Sequence, residues 1–306
     1  MEVGQKSQAL KINVNTEFGK LKLAVVHQGR NLVDYQDAIK TIFRLNPRDA
    51  QRAAKEEDHH PESGKWKASR ARMQISGLVG LLQERGIKLL FSTDVENQFC
   101  QFFTRDVGFV VGNTLYVAKR TDEYRRREIE GLTDILSSIQ NVMYLNSGRI
   151  EGGSVLVNKK TVYVGLDDRT DRKGFDAFKK LAEREENGGF SVVPISLQPG
   201  VLHLDCRFNI IGECLAVAYP PHIETRSLKA LESRFEIIPL TREENDRLAA
   251  NFLVLDRNII ISEVGNGRLN NIFRVRDFEV LELPYDEPIK IWGSLRCSVL
   301  PLYRSE

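Results

Sequence analysis

The chain contains no apolar run of about 18 residues, the length that would suggest a membrane-spanning helix. Charge of one sign is also missing. With 44 basic and 42 acidic side chains the formal net charge is only +2, so there is no basic footprint for nucleic acid. Cysteine is scarce: Cys100, Cys206, Cys214 and Cys297 stand in unrelated settings without CxxC spacing. That pattern argues against a disulfide framework or a zinc ribbon and is read as a reduced, cytoplasmic protein. The opening residues carry no basic segment followed by an apolar stretch, so no secretory signal is read there. What remains is ordinary for a soluble globular protein, 42% hydrophobic and 28% charged over 306 residues. Length alone admits one large domain or two.

The informative feature is a period. Short β-rich runs divided by Gly, Asn or Asp turns recur at 107–118, 155–165, 208–218 and 252–261, each a hairpin signal. Most open on a polar residue. From Asp106 to Ser154, Asp205, Asn251 and Cys297 the steps are 48, 51, 46 and 46 residues. After each hairpin comes a stretch with apolar residues at helical spacing (121–140, 174–186, 227–235 and 267–275), then another short strand. The unit is ββαβ. A fifth unit is divided between the chain ends, residues 298–302 pairing with 21–27 and completed by a helix at 69–85 and a strand at 87–91. Pairing the two ends would close a ring and protect strand edges. The expectation is a single α/β domain, residues 1–306, built as a five-bladed α/β propeller of pseudo-symmetric ββαβ units. An open α/β sheet with irregular hairpins is the alternative. The segment 30–67 (an insert at about 30–68) is polar and reads either as a solvated arm or as an active-site lid.

Near-constant spacing gathers polar residues at one corner of successive units. Cys297 follows Gly293-Ser-Leu-Arg296, a turn-like approach with a cation beside the thiol, and positive neighbours favour thiolate. His203 opens a hairpin two residues before Asp205, and strand alternation would put both on one face. Glu151, ahead of Gly152-Gly153, can fix the histidine tautomer. A thiol, an imidazole and an orienting carboxylate form a nucleophilic set. Asp106 and Asp205 are then unspent, and two carboxylates around one pocket call for a cation. A planar guanidinium matches them. Two other signals are weaker. The run Gly265-Asn-Gly267 has Asn270 where a dinucleotide fingerprint needs its third glycine. Asp58-His59-His60 lacks metal-ligand spacing, so no metal and no cofactor are expected. Cys206 and Cys214 flank a hairpin strand and are read as packed.

In order along the chain stand Phe103-Thr-Arg-Asp106, Glu151-Gly-Gly153, Val164-Gly-Leu-Asp-Asp-Arg-Thr170, His203-Leu-Asp205 and Leu295-Arg-Cys297. Together with the opening Leu21-Lys-Leu-Ala-Val-Val-His27, this resembles the guanidino-group-modifying superfamily. Its members include arginine deiminases, dimethylarginine dimethylaminohydrolases, agmatine deiminases and amidinotransferases. The resemblance covers nearly the whole chain and implies the five-bladed pentein propeller. It implies Cys297 as nucleophile, His203 as general acid/base and Glu151 as its orienting carboxylate. Asp106 and Asp205 become guanidinium clamps, and Arg169 binds a substrate carboxylate. Arg120, or its neighbour Lys119, falls near a second such arginine. The departures point several ways. Gly-Gly-Ser154 replaces the usual Gly-Gly-Asp and is nearer to agmatine deiminases. Cys100 stands where Asp or Asn is common, and Asp205 is common in deiminases but not in dimethylargininases. The segment 164–170 and the ending are nearest to dimethylargininases.

The expected activity is cysteine hydrolysis of an arginine-like or methylarginine-like compound to a ureido product plus ammonia or an alkylamine. An amidinotransferase would share the same catalytic residues, and a non-catalytic binding protein could use the same fold. The expected partner is a small guanidino substrate, with no nucleic acid and no membrane; a homo-oligomer is compatible.

Overall fold

A computed structural model describes residues 9–45, 65–120, 122–184, 186 and 188–306. Asp58, His59, His60 and about half of the polar insert therefore lie outside the described residues. Among the described residues, five three-stranded sheets make up the strand framework. In each, the middle strand pairs antiparallel with one neighbour and parallel with the other. Thr114–Val117 lies between Gly108–Val111 and Val142–Tyr144. Thr161–Leu166 lies between Val155–Asn158 and Ser191–Ser196. Leu215–Ala218 and Ile259–Glu263 repeat the arrangement in the next two sheets. The antiparallel partner is reached by a short turn, whereas the parallel one needs a crossover, and a helix supplies it. Helices Arg172–Ala182, Thr225–Glu232 and Gly267–Val275 fill that place in three units.

The fifth sheet joins the chain ends as the spacing predicts. Lys20–Val26 pairs antiparallel with Leu300–Ser305 and parallel with Lys88–Phe91, across the helix Ala68–Glu84. The sheets remain separate three-stranded pieces rather than one barrel. Aromatic packing holds neighbouring units together. Phe109 and Tyr116 stack at 5.5 Å, and Phe178 of the Arg172–Ala182 helix meets both edge-on. Truncating the fully buried Phe178 to alanine should cost about 3–5 kcal/mol.

Two stretches differ from the sequence reading. The segment 121–140 is not one α-helix: a 3₁₀ helix, Glu123–Leu132, leads into the short α-helix Thr133–Ser137. The described part of the insert is not a bare arm. It begins with a helix, Tyr35–Leu45, and ends at Trp66, which is buried, donates to the Val33 carbonyl at 2.9 Å and packs edge-on against Trp292. No helix among the described residues is long and apolar enough to cross a membrane.

Before three of the hairpins the chain makes a single 3₁₀ turn: Thr104–Val107, Gly152–Ser154 and Leu204–Cys206. These turns pack against one another. They carry Asp106, Glu151 (just before its turn), His203 (likewise) and Asp205. The repeat therefore delivers its polar openings to one place.

Candidate active site

The Leu204–Cys206 turn replaces the strand alternation expected for 203–205. His203 itself is extended, with φ −141° and ψ 155°, while Asp205 lies within the turn. Glu151 lies just ahead of its own turn and is equally extended. Its Oε2 meets His203 Nε2 at 3.1 Å, so the orienting pair forms as predicted. Gly153 makes the pairing possible, because a Cβ there would sit 2.6 Å from His203 Nδ1. On the other side of the ring, His203 Nδ1 lies 3.8 Å from Asp106 Oδ1. Both atoms are buried and neither has a hydrogen-bond partner. Buried polar groups of this kind are costly to leave unmade, and Asp106 Oδ1 is the acceptor of the two.

Cys297 is positioned by backbone contacts. Its N–H donates to Asn251 Oδ1 at 3.1 Å, and its carbonyl accepts from the Arg105 N–H at 3.0 Å. The approach through Trp292-Gly293 is tight: Trp292 takes φ +67°, and a Cβ on Gly293 would fall 2.5 Å from the Phe103 ring. One cavity touches Cys297, His203, Glu151, Asp106 and Arg169 together. It is narrow, about 20 Å³, which is room for roughly one water. Five of the seven predicted site residues thus converge on the same space.

Asp205 and Arg120 are not among that cavity's lining residues. Asp205 is fully buried and bonds Arg296, with Nη1 to Oδ2 at 2.5 Å. Arg120 is buried behind the acids, 3.3 Å from Glu151 Oε2 and 3.7 Å from Asp106 Oδ2. Arg169 lines the cavity and pairs with Asp122.

Electrostatics separate the groups. Burial alone would lower the His203 pKa, but Asp106, then Glu151 and Asp167, outweigh it and lift the ring to about 10. Burial opposes ionisation of Glu151, yet Arg120 and the His203 bond hold it well below the usual carboxylate range. The Cys297 thiol departs from expectation. A hydrogen bond with Cys206, then burial and the Asp205 carboxylate, push it well above the ordinary thiol value. Arg296, the cation expected to favour thiolate, turns instead to Glu17 and Asp205. His203, Asp205 and Cys206 bring ligand atoms within 4.8 Å of one another and are the set that could hold a metal ion among the described residues. The Asp205 oxygen nearest Arg296 is already committed there.

A family model described as N,N dimethylarginine dimethylhydrolase, eukaryotic, matches residues 41–304. The chain belongs to that family. The uncharacterized protein YkgA of Bacillus subtilis (strain 168) is 33% identical over 308 residues, spanning 100% of each chain. The arginine deiminase of Listeria welshimeri is 31% identical over 213 residues, which cover 63% of this chain and 44% of that protein. The chain thus spans less than half the length of that deiminase. The N-terminal domain of ArgZ, solved covalently bound to a reaction intermediate, has the same fold. Its TM-score is 0.76 over 92% of this chain and 98% of that one, at 18% identity. Family and relatives place the chain in the guanidino-group-modifying superfamily that its motifs resemble.

For this family member the structure adds residues that pattern reading missed. Arg125 lines the cavity and donates to Asp106 Oδ2 at 3.0 Å, to Glu128 at 2.6 and 3.0 Å and to the Cys100 carbonyl at 3.2 Å. In sequence it is one of three consecutive arginines, with nothing to single it out. Glu17 reaches the interior beneath the site, 3.2 Å from Arg105 and 3.1 Å from Arg296. Only its place just before the first strand hinted at it. Asn251 occupied its slot in the 46-residue period, but its contact with the Cys297 backbone needed the fold. Of the other cysteines, Cys100 and Cys206 are buried, while Cys214 is exposed rather than packed. Burial pushes the Cys100 thiol up to about 12.

Proposed function

We propose that this chain is a cysteine hydrolase of a guanidino compound, an arginine or methylarginine-like substrate. The observation that carries the reading is the unpartnered pair Asp106 Oδ1 and His203 Nδ1, 3.8 Å apart beside Cys297. A guanidinium bonded to Asp106 brings positive charge to a thiol that burial and carboxylates otherwise keep protonated. Substrate binding therefore generates the thiolate, the thiol proton passing to solvent water. The thiolate attacks the central guanidinium carbon and forms a tetrahedral adduct. His203, protonated at neutral pH, gives its proton to the departing nitrogen, and the C–N bond breaks to leave a covalent thiouronium. A water then adds to the same carbon and loses a proton to His203. As the C–S bond breaks, the added hydroxyl gives its proton to the released amine, freeing the ureido product and returning the thiolate. Ammonia or an alkylamine is the other product.

Glu151 holds the ring through Nε2 and balances its charge. Arg169 takes the substrate carboxylate, shifting from Asp122. Arg120 acts from behind, as the cation beside Asp106 and Glu151, and Asp205 completes the guanidinium clamp when Arg296 shifts. Each step uses side chains of this chain and water. The five small sheets are read as blades of a pentein propeller closed by the terminal strands, a single catalytic domain over residues 1–306. The insert that ends at Trp66 is a lid acting through Trp292, and the setting is cytoplasmic. The test is a panel of arginine, dimethylarginine, agmatine and shorter guanidino acids, each with and without an amine acceptor. Ureido product and released amine without an acceptor support hydrolysis. Product that appears only when an acceptor amine is present would make the chain an amidinotransferase.

A further inference from the structure

A second cavity, of about 370 Å³, is lined in part by Pro199, Gly200 and Val201, just ahead of His203 in the chain. Its volume lies in the range of small-ligand sites. Arg207, half-buried in its wall, donates through Nη1 to the carbonyls of Cys206 at 2.9 Å and Asn245 at 3.5 Å. Its Nε is buried and has no hydrogen-bond partner. Among the described residues it makes no ion pair with a carboxylate, because the acid in this wall, Asp246, faces Arg242 at 3.8 Å. Two guanidinium groups and one carboxylate thus line the cavity. Burial lowers the pKa of Arg207, the mark of a charge partly stripped of water. A cation satisfied by carbonyls alone gains most from an oxyanion, which matches its planar fork. Val201, Tyr219 and Leu248 supply apolar wall beside it.

We propose that this cavity binds a small oxyanion, a phosphate or carboxylate group, with Arg207 as its anchor and the exposed Arg242 closing from the rim. The site is separate from the Cys297 cavity and does not depend on the reaction assigned there. Isothermal titration of the full chain with inorganic phosphate, pyrophosphate and citrate, at fixed ionic strength, tests it. Saturable binding in the range of roughly 0.1–1 mM is expected for at least one anion. Tighter binding of pyrophosphate would identify a phosphate site, and tighter binding of citrate a carboxylate site. Arg207→Gln should weaken binding about tenfold or more, while Arg169→Gln, in the Cys297 cavity, should leave it unchanged. If Arg207→Gln does not fold, Arg242→Gln and Arg207→Lys take its place and should each weaken binding. No saturable binding of any of the three anions, or a loss that follows Arg169 instead of the arginines of this cavity, overturns the proposal.

Discussion

Two clusters of buried charge lie within a few residues of each other in sequence, and they differ in how fully they are satisfied. Beneath the site, Glu17 accepts from Arg105, Arg296 and the Val157 N–H, and Asp205 accepts from Arg296 and Cys206. Neither carboxylate has a bare oxygen. At the cavity, Asp106 Oδ1 and His203 Nδ1 are buried without partners. Both clusters look alike in sequence, as single charged residues among apolar ones. The cluster whose carboxylates are fully paired holds chain segments together, since a buried ion pair costs most when one partner is removed. The unsatisfied cluster pays a standing cost that a substrate can relieve.

The comparison can be broken most directly at the thiol. Cys297→Ser should lower kcat by on the order of 10⁴-fold or more, with substrate binding retained in calorimetry. Turnover near wild type would remove the nucleophile from the cavity. Next come paired substitutions, one in each cluster. Glu17→Gln should cost about 3–5 kcal/mol of unfolding free energy in urea titration, because it leaves Arg105 and Arg296 buried without their shared anion. Asp106→Asn should lower kcat/KM by on the order of 10²-fold or more with a much smaller stability loss, since Arg125 keeps Glu128. Equal stability losses would dissolve the distinction.

Proton linkage sharpens it further. Burial opposes ionisation of Glu17, but Arg296, Arg105 and Arg304 outweigh it and hold its pKa at about 2 against an ordinary 4.5. Its contribution is full above pH 4.5 and is lost as pH falls toward 2, about 3 kcal/mol in all. His203 has the opposite sign. Raised from 6.5 to about 10, it stabilises fully below pH 6.5 and less as pH rises toward 10. Stability measured against pH should therefore decline on both sides of a plateau near pH 4.5–6.5. Glu17→Gln should flatten the acid side alone; an unchanged acid limb in that variant would show the cluster around Glu17 is not what titrates.

Smaller effects test the fit around the imidazole. Gly153→Ala should push the ring off Glu151, lowering kcat roughly 10–100-fold while costing about 1–3 kcal/mol of stability. Unaltered kcat would mean that the ring position does not matter. At the end of the scale, Arg127→Gln breaks an exposed pair with Glu130 and should leave both the urea midpoint and kcat unchanged.

Much of the architecture was readable as a pattern. The 46-to-51-residue period located the polar corner of each unit, and the helix at 267–275 matches its observed bounds. Pairing of the terminal strands followed from the same arithmetic and is observed. Local spacing failed where charge overrode periodicity. The apolar residues at 129, 132, 135, 136 and 139 suggested one α-helix, yet Arg125 is drawn inward to Glu128 and Asp106 within a 3₁₀ stretch. Alternation likewise put His203 and Asp205 on one face, and the 3₁₀ turn between them sends Asp205 to Arg296.

The order of motifs along the chain was enough to establish the repeat, the family resemblance and a thiol, an imidazole and a set of acids held in common. Which oxygen or nitrogen stays bare was decided by tertiary packing alone. Hydrogen-bond satisfaction depends on distances of a few tenths of an ångström between segments as far apart as Glu17 and Arg296, and no local pattern encodes that.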